Sequence, residues 1–341
     1  MMSSDFTDRH LIFIVSQPRA GSTLLQSLLA GCEGVHTTAE PWLMLHPLYA
    51  RRETGHTADY DATLAARALD DFLGQLKEGA AAYDAAVRAM ALELYGRACR
   101  QAGQAIFLDK TPRYYKILPE LSRVFPAARI VILLRNPAAV FSSILRTWVD
   151  GAWPRFDTFR DDLLAAPGLL TDHVARGGDQ TIAVHYEALV QAPEETLRSL
   201  CDRLDLPYHP RLLAYGDRPL PAGRYGDPTG IRQHNQPTAT GLDNWREHAR
   251  DPQIHHLLVA YLDALGPEQI GRMGYDHAEL RRALAAVPLR PGRVHHTWQQ
   301  LLKADKTSGD ALRLILGDGQ WRHQPGRALR QLARLFTERA E

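Results

Sequence analysis

Eight consecutive residues, Ser16-Gln-Pro-Arg-Ala-Gly-Ser-Thr23, contain a glycine, two hydroxyls directly after it and a guanidinium. Gly21 lets the backbone turn its N–H groups inward, Ser22 and Thr23 offer hydroxyls, and Arg19 supplies a fixed cation, a set that suits an anion. Leu24-Leu-Gln-Ser-Leu-Leu-Ala30 reads as a helix, whose N-terminus adds a partial positive charge. The loop is not the ATP-binding G-x-x-x-x-G-K-[ST]: Ser16 stands at the first glycine position and no lysine follows Gly21. The plainer alternative is a structural strand-to-helix turn with an exposed arginine.

A second group points the same way. The apolar run Arg129–Leu134 ends in Arg135-Asn136-Pro137, where Mg²⁺-dependent P-loop enzymes carry a metal-holding aspartate. A cation at a strand end favours a second anionic group and no metal. Pro137 suits the first turn of a helix, and Ser143 lies two turns along it, so Arg135 and Ser143 could share one phosphate.

Such loops need a scaffold. Leu11–Val15 is short, continuously apolar and β-branched, as in a parallel strand buried on both faces. Residues 105–108, 129–134 and 181–184 have the same character, and a helix is expected from near Ala192. Residues 60–101 read as two inserted helices, and 206–245, dense in Pro, Gly and polar residues, as an ordered loop region. The expected fold is α/β: a P-loop-like three-layer arrangement with a central parallel sheet flanked by helices, a helical insertion at about 50–104 and a helical C-terminal tail.

With 40 Lys+Arg against 39 Asp+Glu in 341 residues, the net charge of +1 excludes a protein that binds nucleic acid simply by being basic throughout. Residues 281–341 nevertheless carry 12 basic and 5 acidic residues, leaving a mildly acidic body. Cys32, Cys99 and Cys201 form no CxxC pair or metal-like spacing, and no apolar stretch approaches the roughly 18–20 residues of a membrane span. A soluble, cytoplasmic protein is expected.

PRAGST after the first strand, with RNPAAVFSS after a later one, resembles the paired signatures of sulfotransferases that use 3′-phosphoadenosine 5′-phosphosulfate (PAPS), in particular the tyrosylprotein-type branch and its bacterial relatives. The resemblance covers about residues 8–205. It implies that Arg19, Ala20, Gly21, Ser22 and Thr23 cradle the 5′-phosphosulfate, that Arg135 and Ser143 hold the 3′-phosphate, and that Tyr186, in His185-Tyr186-Glu187, lies near the nucleotide. In that branch a catalytic glutamate follows the first arginine by 21 residues, which lands on Glu40. A lysine precedes the second arginine by 25, which lands on Lys110. The implied reaction is in-line sulfuryl transfer with Glu40 as base and Lys110 on the leaving group, without a metal. His36 and His46 flank Glu40 and are rival bases.

Where the animal enzymes place basic residues after the glutamate, this chain has Pro41-Trp42-Leu43-Met44-Leu45. An apolar acceptor surface is therefore expected, with Trp42, Met44 and His46 as contacts to a small-molecule, lipid or glycan hydroxyl, less readily an amine. The sulfotransferase domain is expected over 8–275 and a basic, mainly helical extension over 276–341. In its segment 325–336, Leu329, Leu332, Leu335 and Phe336 share a helical face that Arg327, Arg330 and Arg334 mostly avoid. That helix would dock on the acidic body, on a second subunit to form a homodimer, or on an anionic membrane. Two other functions compete: an Mg²⁺-dependent small-molecule kinase with Asp109 as metal ligand, and a non-catalytic nucleotide-binding scaffold.

Overall fold

A computed structural model describes residues 6–303 except 57, 217, 219–220 and 222–233; the amphipathic segment 325–336 and part of the loop region 206–245 lie outside the described residues. Five strands form one parallel sheet in the order β2-β3-β1-β4-β5. They are β1 (Leu11–Ser16), β2 (Val35–Thr37), β3 (Ile106–Lys110), β4 (Arg129–Leu134) and β5 (Thr181–His185). Every residue of β1 is buried, as its unbroken apolar run requires of a strand covered on both faces.

The register sets Ile14 beside Lys110, Ser16 beside Leu133 and Leu134 beside His185. The loops that could bind therefore leave from the carboxyl-terminal ends of the strands, on one side of the sheet. The chain goes from β1 outward on one side and from β4 outward on the other, so β1 and β4 flank the switch point where α/β folds bind ligands.

Helices cover both faces: α1 (Ser22–Leu29), α2 (Ala62–Gly74), α3 (Ala80–Ala102), α4 (Pro137–Ile144), α5 (Pro193–Arg203), α6 (Pro252–Arg272), α7 (His277–Ala285) and α8 (Trp298–Lys303). The two helices expected in 60–101 are α2 and α3. Ile12, Ile14, Leu108, Val131 and Leu133 pack with α1 and α4 in one core; Leu11, Phe13, Phe107, Ile130 and Ile132 pack with Tyr95 and Cys99 of α3 in the other. Leu280, Leu284 and Leu301 of the C-terminal helices join the first core, where the Trp298 ring lies 6.1 Å from those of Phe141 and Tyr261. No described helix is long and apolar enough to cross a membrane.

Candidate active site

The loop after β1 makes its turn with two left-handed residues, Arg19 at φ 69° and Gly21 at φ 97°. Gly21 answers a second constraint too, because a Cβ there would come within 2.4 Å of the Tyr186 ring. It is the N-cap of α1, so the first N–H groups of that helix have no acceptor within it. Arg19 Nε donates to Ser143 Oγ at 3.1 Å, and Arg135 Nη1 donates to the Arg19 carbonyl at 3.0 Å. The Arg135 guanidinium lies 4.1 Å from the centre of the Tyr186 ring. Arg19, Gly21, Arg135, Ser143 and Tyr186 thus form one cluster. Within it Arg135 Nε is buried with no hydrogen-bond partner among the described residues, a donor that a phosphate oxygen would satisfy. These groups fit a nucleotide carrying more than one anionic group.

Two side chains outside the expected set hold the Arg135 turn. Asn136 caps α4 by accepting from Ala138 N–H at 2.9 Å, with Pro137 at the first helical position. Glu187 accepts from Asn136 N–H at 3.0 Å and from the Tyr275 hydroxyl at 2.6 Å. Glu187 belongs to the segment His185-Tyr186-Glu187, whereas Tyr275, 88 residues away, carries no local sequence signal.

Glu40 lies in an irregular segment after β2. Gln26 of α1 donates to Thr37 Oγ1 and to the Thr38 carbonyl, both at 2.7 Å, which ties the start of that segment to the anion-loop helix. Lys110, the last residue of β3, donates to Glu40 Oε1 at 2.7 Å and lies 3.5 Å from Thr23 Oγ1. The lysine side chain is fully buried and the carboxylate 16% exposed. Trp42, held at φ 54°, donates its indole N–H to Glu40 Oε2 at 3.1 Å. Arg113 lies 5.7 Å from the centre of a Trp42 ring and pairs with the buried Asp162 at 2.6 Å. The fold therefore joins two oppositely charged groups 70 residues apart, next to the hydroxyl of the anion loop.

The rest of the stretch behaves differently. Met44 is fully buried in the α3-side core, so its side chain is core packing rather than acceptor surface, while His46 is exposed. His36 pairs with Phe107 in the sheet register and its ring lies 5.6 Å from the Phe107 ring, on the face away from Lys110. Burial lowers its pKa.

Asp109 also faces away from Lys110. Its Oδ2 accepts from the hydroxyls of Tyr95 at 2.6 Å and Tyr114 at 3.0 Å, and its Oδ1 from Thr111 at 2.7 Å. Burial pushes its pKa up to about 6 against the opposing pull of those hydrogen bonds. With both oxygens engaged on the α3 side, it is turned away from the anion loop and unsuited to hold a metal there.

Comparison with known proteins bears on the family of the chain. The model of the Sulfotransferase family matches residues 12–210. The chain is 27% identical over 348 residues to nodulation protein NoeE of Sinorhizobium fredii, an alignment covering 89% of this chain and 77% of that protein. It is 25% identical over 209 residues to protein-tyrosine sulfotransferase 1 of Danio rerio, covering 60% of this chain and 56% of that protein. Among solved structures, the sulfotransferase domain of the Synechococcus PCC 7002 olefin synthase superposes with a TM-score of 0.50 at 28% identity, covering 72% of this chain and 90% of that chain.

Proposed function

The chain belongs to the sulfotransferase family and is a sulfotransferase, and from that premise we propose that it moves a sulfuryl group from PAPS to a hydroxyl of a small-molecule, lipid or glycan acceptor. PAPS supplies an activated sulfuryl group on a phosphate leaving group. Arg19 and the backbone around Ala20, Gly21, Ser22 and Thr23 would hold its 5′-phosphosulfate; Arg135 and Ser143 would hold its 3′-phosphate beside the Tyr186 ring.

In the reaction the acceptor oxygen bonds to sulfur as the bond from sulfur to the bridging phosphate oxygen breaks. Glu40 takes the acceptor proton, a role worth about 10²–10⁴-fold in rate. Lys110 meets the charge that develops on the departing phosphate oxygen. The free ion pair is preorganised for both tasks, since one carboxylate oxygen faces Lys110 and the other is oriented by the Trp42 indole. The observation that carries the reading is the Glu40–Lys110 contact at 2.7 Å, beside Thr23 at the start of α1.

A kinase would need a metal-holding carboxylate here, and Asp109 faces the other side of the sheet. The test is thermal-shift binding. Adenosine 3′,5′-bisphosphate without metal should raise the melting temperature more than ATP with Mg²⁺; the reverse order would overturn the proposed donor.

A further inference from the structure

The segment bearing Glu40 is held at two points. Gln26 fixes its start through the Thr38 carbonyl, and Tyr114 fixes its end, where the Tyr114 hydroxyl accepts from Met44 N–H at 3.0 Å. The same hydroxyl donates to Asp109 Oδ2 at 3.0 Å, so its single proton is committed to the carboxylate and a lone pair to the backbone. Asp109 immediately precedes Lys110 on β3. The chain Met44–Tyr114–Asp109 therefore runs from the backbone four residues past Glu40 to the side-chain carboxylate of the residue before Lys110. All three residues are buried, Tyr114 completely. Between the two anchors stand Glu40 and the left-handed Trp42 that orients it.

We infer that Tyr114 is a positioning residue for sulfuryl transfer: anchored on Asp109, it pins the backbone at Met44 and so keeps the Glu40 carboxylate in register with Lys110. This rests on the assignment of Glu40 and Lys110 as the catalytic pair.

Tyr95 supplies an internal control. It is a buried tyrosine that donates to the same Asp109 oxygen, but from α3, and among the described residues it makes no hydrogen bond to the Glu40 segment. Tyr114→Phe and Tyr95→Phe each delete one phenol hydrogen bond to one carboxylate oxygen and keep the ring; only Tyr114→Phe also releases Met44 N–H. A purely structural role predicts a larger loss of stability for Tyr114→Phe, which leaves a buried N–H unpaired, but no selective loss of kcat in either variant. The inference predicts that Tyr114→Phe lowers kcat by about ten-fold or more while KM for the donor and affinity for adenosine 3′,5′-bisphosphate stay within about two-fold, and that Tyr95→Phe keeps kcat within about two-fold. Retained nucleotide affinity also shows that each variant is folded. Equal kcat in the two variants, or a Tyr114→Phe defect that follows nucleotide affinity, would overturn it. Glu40→Gln, assayed alongside, separates the two levels. Lost turnover there with normal Tyr114→Phe overturns the positioning role alone, whereas retained turnover in Glu40→Gln overturns the catalytic assignment beneath it.

Discussion

Asp109 and Lys110 occupy consecutive positions at the end of β3, 1% and 0% exposed, and their side chains leave opposite faces of the sheet. Asp109 meets three neutral hydroxyl donors deep in the α3-side core. Lys110 meets a carboxylate that still touches solvent, next to the anion loop. Burying either charge is costly, and the two are compensated differently. Asp109 is compensated by neutral dipoles with its acceptor sites engaged, which makes it an anchor. Lys110 is compensated by a single counter-charge, Glu40, that still reaches solvent, which on the proposed mechanism leaves the pair open to substrate. The degree of burial does not separate the two; the partner does.

The largest effect that would sharpen this contrast is on the Lys110 side. Lys110→Ala should lower turnover by about 10²–10³-fold, as loss of a transition-state charge donor does, with little change in affinity for adenosine 3′,5′-bisphosphate. A pure loss of nucleotide affinity would instead make Lys110 a binding group. On the other face, Asp109→Asn introduces an amide donor among hydroxyls already oriented to donate, and should cost about 1–3 kcal/mol of stability in denaturant unfolding.

The pH dependence of that difference has a definite sign. With its folded pKa raised to about 6, above the ordinary 3.8, the folded protein takes up this proton before the unfolded chain does. Wild type should therefore gain stability relative to Asp109→Asn between pH 7.5 and pH 5. A relative loss over that interval would mean that Asp109 is stabilised as an anion, as an ion-paired carboxylate would be. The smallest effect is expected at the edge of the anion cluster, where Ser143→Ala removes one acceptor of Arg19 and should weaken adenosine 3′,5′-bisphosphate binding by about three- to ten-fold with kcat retained. An unchanged affinity would remove Ser143 from the nucleotide site.

Much of this contrast was hidden in the sequence for a physical reason. The apolar runs of β1 and β4 announced strands because both faces of a parallel sheet are buried, but the same burial erases the two-residue alternation that would reveal facing. In Ile106-Phe-Leu-Asp-Lys110 both charged residues were therefore candidates, and only the packing of α3 separates them. The turn after β1 and the helix start after β4 were legible because glycine, hydroxyl and proline chemistry act over a few residues. The spacings to Glu40 and Lys110 were legible only through the family resemblance. β2 was missed, being three residues at the sheet edge with two of them only half buried. Met44, read with its neighbours as acceptor surface, is fully buried in the core on the α3 side, two residues after the left-handed Trp42. Gln26, Glu187, Tyr114 and Tyr275 act through contacts between distant segments, which local patterns do not report.

The central claim is that the Glu40–Lys110 pair carries out sulfuryl transfer at the end of β3. The most direct test follows labelled sulfuryl transfer from PAPS to a hydroxyl acceptor by wild type and Glu40→Gln at saturating donor, with binding of adenosine 3′,5′-bisphosphate measured on both. Glu40→Gln should lose about 10²–10⁴-fold in turnover while binding the bisphosphate as wild type does. Turnover within a few-fold of wild type would contradict the claim and require a different base.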